Sequence, residues 1–259
     1  DVYKRQRMNM FLHDIGYEHF NIALGDTLTD PKHWEDEPFE AIVSNPPYST
    51  KWEGKESAVL INDERFAPAG VLAPTSKADL AFTMHMLSWL AVDGTAAIVE
   101  FPGALYRGGA EAKIRKYMVE NNFVNAVIQL PSDLFFGTGI ATCVLVLKKN
   151  KKTSDVFFVD ASQFFTRVGN KNKLEQQHQD KIVELYEKRE AVEYVTALVP
   201  NKDVVANDAN LSVSSYVEKE DIREEIDMPA LTEELNQLVS EQQVLRESIN
   251  EILAREGVL

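Results

Sequence analysis

The chain has 259 residues, 44% hydrophobic and 26% charged, a balance that buries a sizeable core and excludes global disorder or a collagen-like repeat. Its one cysteine, Cys143, excludes a disulfide framework and a cysteine-rich zinc site and suits a reducing cytosol. The net charge of −14 argues against an autonomous nucleic-acid binder, because phosphate contacts need Lys and Arg. Residues 218–259 hold 12 acids against 4 bases, so a DNA substrate would need a basic partner to do much of the holding. No apolar run reaches bilayer length, and residues 1–6 lack the apolar core of a signal peptide. A cytoplasmic protein without membrane contact is expected.

The first two thirds alternate short apolar runs with helical patterns, which predicts an α/β fold. Residues 7–16 predict a helix with Met8, Phe11, Leu12 and Ile15 on one side and Gly16 as its stop. Residues 20–24 predict a short strand ending at Gly25-Asp26. Residues 39–44 predict a second strand, a near-continuous apolar run as in a parallel sheet, halted at Asn45-Pro46-Pro47-Tyr48. Residues 49–77 lack periodicity, and a loop of that length in a compact domain is usually functional or mobile. Then follow a helix at 79–90, a buried strand at 95–101, a helix at 111–121 and a strand at 123–130. Gly137-Thr138-Gly139 punctuates a turn before strands at 140–147 and 156–159, and a helix spans about 173–189. A less regular stretch runs to about Tyr216. Leu231, Leu235, Leu238, Gln242, Leu245, Ile249 and Ile252 recur at alternating four and three residues, a heptad seam on a helix at about 229–256. It either packs on its own domain or pairs with a partner subunit.

The tetrapeptide Asn45-Pro46-Pro47-Tyr48 carries the chemistry. In an open α/β sheet, ligands bind outside the carboxyl ends of strands. An exocyclic or amide NH2 is a poor nucleophile because its lone pair is delocalised. The Asn45 side-chain oxygen and the Pro46 carbonyl can each accept one of its hydrogens, restoring lone-pair character as the nitrogen attacks an electrophilic methyl group. The prolines keep both oxygens aimed, and Tyr48 offers a flat face for a planar base. A strand-ending proline turn with a surface tyrosine is the plainer reading of the same four residues.

With that motif, the chain resembles the modification subunits of type I restriction-modification systems, adenine-N6 DNA methyltransferases that use S-adenosylmethionine. The likeness runs from about residue 7 to 190. It rests on Met8-Asn9-Met10, Gly25-Asp26-Thr27-Leu28, Asn45-Pro46-Pro47-Tyr48, Asp63-Glu64-Arg65-Phe66, Lys77-Ala78-Asp79, Leu105-Tyr106-Arg107-Gly108-Gly109, Leu130-Pro131, Leu134-Phe135 with Gly137-Thr138-Gly139-Ile140, and Phe158-Val159-Asp160-Ala161. Each is weak alone, and their joint order is specific. The resemblance implies a Rossmann-like methyltransferase sheet, incomplete because its first strands are missing, with a C-terminal helical extension. Asn45, Pro46, Pro47 and Tyr48 match the catalytic motif. Asp26 falls at the cofactor's adenine, and Leu28 is a further cofactor-binding candidate, although an Asp after Gly is also a common turn habit. Phe135 or Phe136 would wall the flipped base, or else belong to the core. Arg107, Lys148 and Lys149 are candidate DNA contacts, with solvated surface as the alternative. The five histidines show no metal spacing, and no metal is expected.

The family also carries, upstream of the residues matching Met8-Asn9-Met10, a helical domain, a Gly-rich strand-loop-helix that cradles the cofactor's methionine, and an acidic residue for its ribose. Only seven residues precede that point here, and residues 1–6 fit poorly. The chain is read as a truncated reading frame: residues 1–190 the C-terminal part of the catalytic domain, 191–259 a partner-docking extension. Alone it should bind S-adenosylmethionine weakly or not at all and be inactive. DNA, a specificity subunit and a restriction subunit are the partners the resemblance implies. The same nitrogen chemistry would also serve a protein-glutamine or RNA methyltransferase, and a scaffold fragment without catalysis is a third reading.

Overall fold

The computed structural model describes residues 2–33, 37–136, 138–220 and 227–256. They fall into two compact units, Asp1–Lys219 and Glu220–Leu259.

The first unit is built on a six-stranded sheet in the order β1-β2-β4-β3-β5-β8. The strands are β1 (Phe39–Ser44), β2 (Leu90–Glu100), β3 (Val124–Gln129), β4 (Cys143–Lys148), β5 (Asp155–Asp160) and β8 (Thr196–Pro200), with β6 (Thr166–Val168) and β7 (Lys171–Lys173) forming a separate hairpin. The helices of this unit are α1 (Val2–Leu12), α2 (Ala58–Ile61), α3 (Asp79–Trp89), α4 (Ala110–Glu120), α5 (Gln176–Lys188) and α6 (Asn201–Ala206). β1 runs parallel to β2, and β3 parallel to β5, while β4 and β8 run against their neighbours. The carboxyl ends of β1, β2, β3 and β5 therefore lie on one edge of the sheet. The loops that leave this edge begin at residues 45, 101, 130 and 161.

The central strands are buried on both faces, and their side chains alternate between two cores with the period of two that the pleat imposes. Val156 and Phe158 of β5 enter one core with Leu80, Met84 and Leu87 of α3, Ile114 and Met118 of α4, and Val204 of α6. Phe157 and Val159 enter the other, covered by Ile182, Leu185 and Tyr186 of α5. The result is a three-layer α/β unit. β2 begins at Leu90 rather than 95, and the register with β1 shifts between Phe39 and Ala41; a Cβ at Gly94 would lie 2.9 Å from the Phe39 carbonyl and 3.0 Å from that of Glu40, so glycine lets β1 pass this closely.

Three expectations change. Residues 20–24 form no strand; among the described residues nothing lies beyond β1 to supply a ladder partner. β1 is accordingly an edge strand rather than a buried one, with Val43 86% exposed. The stretch from 191 to 219 does not open the extension: β8 pairs with β5 from Asp155–Pro200 to Val159–Thr196, which ties it to the sheet.

The second unit is the helix α7 (Met228–Arg255). Asp227 caps it by accepting the Ala230 N–H at 3.0 Å, and Pro229 stands in the first turn, where a missing N–H costs nothing. Its seam residues Leu231, Leu235, Leu238, Leu245, Ile249 and Ile252 are exposed. No described helix is long and apolar enough to cross a membrane.

Candidate active site

β1 delivers Asn45 to the carboxyl edge of the sheet. Pro46 is buried and Tyr48 half-buried at the mouth. The Tyr48 hydroxyl donates to Asn45 Oδ1 at 2.7 Å, so this acceptor already holds a proton donor of its own chain. The Pro46 carbonyl takes no hydrogen bond among the described residues. The Tyr48 ring faces Phe101, the residue that follows β2, at 6.3 Å between centroids. Arg107 packs on the other aromatic of this pair, 5.1 Å from the Phe101 ring, and reaches Glu111 at 3.4 Å. Arg107 is therefore partly tied down rather than fully solvated. It is a half-buried strut beside the Tyr48–Phe101 pair.

Behind this corner lie two buried acids, Glu100 and Asp79, to which the sequence assigned no role in the site. Glu100, at the end of β2, is fully buried, and burial pushes its carboxyl up to about 8. The Thr83 hydroxyl of α3 donates to its Oε1 at 2.5 Å. Asp79, also buried, accepts the Ser49 N–H. Burial first, then Glu100, Cys143 and Asp79, push the Tyr48 phenol above its ordinary value, so it stays a donor at neutral pH. Because the folded protein holds the Glu100 proton more tightly than the unfolded chain does, the stability it contributes is complete below pH 4.5. That stability drains away as pH rises towards about 8. Glu100→Gln should flatten the fall in thermal stability between pH 4.5 and 8; an unchanged slope in a pH series of melting curves rules this out.

Asp26 closes a turn on itself: Oδ1 accepts the N–H of Leu28 at 2.9 Å and of Thr29 at 3.1 Å, leaving Oδ2 open among the described residues. Leu28 is a core residue at 3% exposure. The turn is held from behind by Arg65, which donates to the carbonyls of Leu28 at 2.7 Å and Thr27 at 3.2 Å and pairs with Asp63 at 2.6 Å. Burial opposes ionisation of Asp63, but the hydrogen bonds and charge of Arg65 win and hold its carboxyl below the usual value. Burial and the Arg65 charge lower His85 to about 4, so it is neutral where its Nδ1 meets Arg65 at 3.1 Å. A largely apolar cavity of about 430 Å³ separates this turn from the tetrapeptide, lined by Thr27, Pro46, Pro47, Phe82, His85 and Trp89 among others.

The other candidates divide by edge. Phe135 and Phe136 sit in the loop that leaves β3, on the same edge as Asn45; Phe135 is half-buried and Phe136 wholly exposed. Lys171 of the hairpin donates to the carbonyls of Phe135 at 3.0 Å and Thr138 at 2.9 Å, which steadies that loop. Lys148 and Lys149 are on the opposite edge. β4 runs against β2, so Lys148 pairs with Thr95 at the strand's start while Cys143 pairs with Glu100 at its end. Lys149 there caps α3 through the carbonyls of Ser88 and Leu90, and Lys148 lies 5.9 Å from the Tyr186 ring. Both are removed from the candidate site. Cys143 is buried, donates weakly to the Glu100 carbonyl, and has its thiol pushed up by burial. Among the described residues no three His, Cys, Asp or Glu gather as a metal site.

Fold and corner together define an α/β protein of the methyltransferase type, with a paired-acceptor motif at the carboxyl edge. The chain belongs to the N-6 DNA methylase family, whose model matches residues 2–225. It is 45% identical over 261 residues to the type I restriction enzyme MpnII methylase subunit of Mycoplasma pneumoniae, covering 97% of this chain and 48% of that protein. It is 33% identical to the MjaVII methylase subunit of Methanocaldococcus jannaschii, covering 98% of this chain and 45% of that one. The crystal structure of a type I restriction-modification methyltransferase subunit from Streptococcus thermophilus superposes with a TM-score of 0.79 at 41% identity, over 83% of this chain and 46% of the other. The chain spans about half the length of the curated relatives it matches.

Proposed function

We propose that this chain carries the methyl-transfer corner of a type I restriction-modification methylase subunit, acting on the N6 amino group of an adenine flipped out of duplex DNA. One observation carries the reading: β1 ends at the carboxyl edge on Asn45-Pro46-Pro47-Tyr48, where the Asn45 amide oxygen meets the Tyr48 hydroxyl beside the Tyr48–Phe101 aromatic pair. S-adenosylmethionine supplies the electrophilic methyl group when bound. The chain's own residues supply its adenine end: the open Oδ2 of Asp26 accepts an amino hydrogen, and the cavity between Thr27, Pro47 and Phe82 takes a planar ring. No described segment offers a Gly-rich strand-loop-helix for the methionine end, so the fit is partial, and the chain by itself is expected to be inactive.

Asn45 Oδ1 and the Pro46 carbonyl accept the two hydrogens of the target amino group. Electron density returns to the nitrogen as it becomes a nucleophile, and the surplus proton leaves to solvent. Tyr48 stacks on the purine, with Phe101 behind it and Phe136 as a further wall. Tyr48 takes up one of the two acceptor positions on Asn45 Oδ1 and so competes with the base for that oxygen. Tyr48→Phe keeps the ring and removes the competitor, so its KM for DNA should fall by up to about tenfold, the worth of one neutral hydrogen bond. Tyr48→Ala should raise it roughly 10-fold or more through lost stacking. A KM for Tyr48→Phe above that of the wild type would refute the competition.

Partners follow from the same reading: DNA, a specificity subunit and a restriction subunit. α7 is the docking element, its exposed heptad seam set in an acidic surround. The catalytic part runs to about residue 219, and the docking extension starts near residue 220. The test is mass spectrometry of unmethylated DNA incubated with the holoenzyme and S-adenosylmethionine. N6-methyladenine is the expected product; methyl groups on protein glutamine or RNA instead would favour the alternative acceptor.

A further inference from the structure

Two prolines strip the catalytic corner of backbone donors, so something outside β1 must fix its angle. One such tie is the N–H of Ser49, the residue after the tetrapeptide, which goes to Asp79 Oδ1 at 2.9 Å, thirty residues away in sequence. Ser49 holds φ +50°, a left-handed conformation that a non-glycine residue adopts only when its surroundings impose it. Two more bonds fasten the segment behind it to the same stretch of chain: Ala78 N–H to the Thr50 carbonyl at 2.8 Å, and Trp52 N–H to the Thr75 carbonyl at 3.0 Å. Asp79 opens α3, a helix whose inner face is locked in the core by Leu80, Met84 and Leu87. The clamp thus refers the corner to a rigid element.

The second carboxyl oxygen of Asp79 argues that the clamp is not there for stability. Asp79 is 1% exposed, and its Oδ2 has no hydrogen-bond partner among the described residues. A buried unpaired acceptor destabilises the fold, and an apolar side chain of the same size would remove that cost. We infer that Asp79 is a positioning residue for methyl transfer, holding Ser49 so that Asn45 and Tyr48 meet the base at the productive angle. This rests on the reading of the Asn45 corner as catalytic.

Three variants in the holoenzyme, assayed with tritiated S-adenosylmethionine and unmethylated genomic DNA, separate positioning from folding. Asp79→Asn keeps an acceptor facing Ser49 and should retain kcat within about threefold, whereas Asp79→Ala should lose roughly 10- to 100-fold in kcat with its KM for the cofactor unchanged. Asp79→Leu removes both the clamp and the unpaired oxygen, so it should melt no lower than the wild type yet show the kcat loss of the alanine variant. Amide hydrogen exchange, which needs no turnover, should show the Ser49 N–H protected in wild type and Asp79→Asn and fast in the other two. A kcat in Asp79→Leu equal to wild type, a kcat loss in Asp79→Asn as large as in Asp79→Ala, or Ser49 exchange indifferent to all three overturns the proposal. A wild-type holoenzyme that makes no N6-methyladenine overturns the function instead, and the exchange data still decide whether the clamp exists.

Discussion

Asn45→Ala lowers kcat for N6 methylation by roughly 100- to 1000-fold, the usual loss when one preorganised polar group is removed from a developing charge. It leaves affinity for S-adenosylmethionine within about twofold. The reasoning is local. Asn45 is exposed, and its side chain makes one described bond, to the Tyr48 hydroxyl, so its removal takes nothing from the core. The Pro46 carbonyl remains, but it accepts only one of the two amino hydrogens. Without the second acceptor the nitrogen lone pair stays delocalised in the purine and the barrier rises. Stacking on Tyr48 is untouched, so KM for DNA moves little and the loss appears in kcat, the mark of an interaction made in the transition state. Asn45→Asp keeps the acceptor geometry and should recover a large part of the rate. Single-turnover methylation measures both; an alanine variant within tenfold of wild type would remove Asn45 from the mechanism.

The place of this corner in the fold could be read in the sequence because it is local. A strand, two prolines and the residues flanking them fix which oxygens face outward, and β1 ends at Ser44 where the prolines require. α3 was equally plain, since Leu80, Met84 and Leu87 keep helical spacing. What composition and periodicity could not give was which edge of the sheet a residue joins. Lys148 and Lys149 look like any basic turn, and only the antiparallel insertion of β4 between β2 and β3 sends them away from Asn45. β8 stayed hidden because Ala197 and Pro200 carry weak strand signals and the pairing with β5 decides. The acids behind the tetrapeptide were hidden for the same reason. Asp79 reads as an ordinary first-turn acid and Glu100 as the polar end of a strand, and tertiary packing alone buries both beneath Tyr48. Phe135 and Phe136 lie on the edge that carries Asn45 because they sit in the loop leaving β3, where Lys171 holds the Phe135 carbonyl.

The second large effect is expected at Arg65, and it acts on the fold before it acts on the site. Its side chain is 3% exposed, and its guanidinium serves two carbonyls, the Asp63 carboxyl and the His85 ring, while lying 4.7 Å from the Phe66 ring. Arg65→Ala strands all of these in the interior. Breaking a buried pair by deleting one partner costs about 3–5 kcal/mol, which lowers the melting temperature of a chain this size by roughly 10 °C. Lysine cannot repair it, because a point charge on a flexible stem does not reproduce a planar fork that grips Asp63 and both carbonyls at once. The pH dependence has a definite sign. Asp63 titrates below its ordinary value when folded, so the stability it shares with Arg65 is present above the unfolded value and lost as pH falls through the folded one. The gap between wild type and Arg65→Ala should therefore be widest near neutrality and narrow in acid, where a protonated Asp63 no longer needs its partner. The same deletion frees the carbonyls of Thr27 and Leu28, and with them the turn that aims Asp26. Since residues 20–24 form no strand to hold that turn, cofactor affinity in the holoenzyme should fall with stability, while kcat at saturating cofactor falls far less than in Asn45→Ala. Thermal melts from pH 4 to 8 together with cofactor titrations read both effects, and a melting temperature within 2 °C of wild type at pH 7, on a scale of about 2–4 °C per kcal/mol, would show that Arg65 is not what holds the turn.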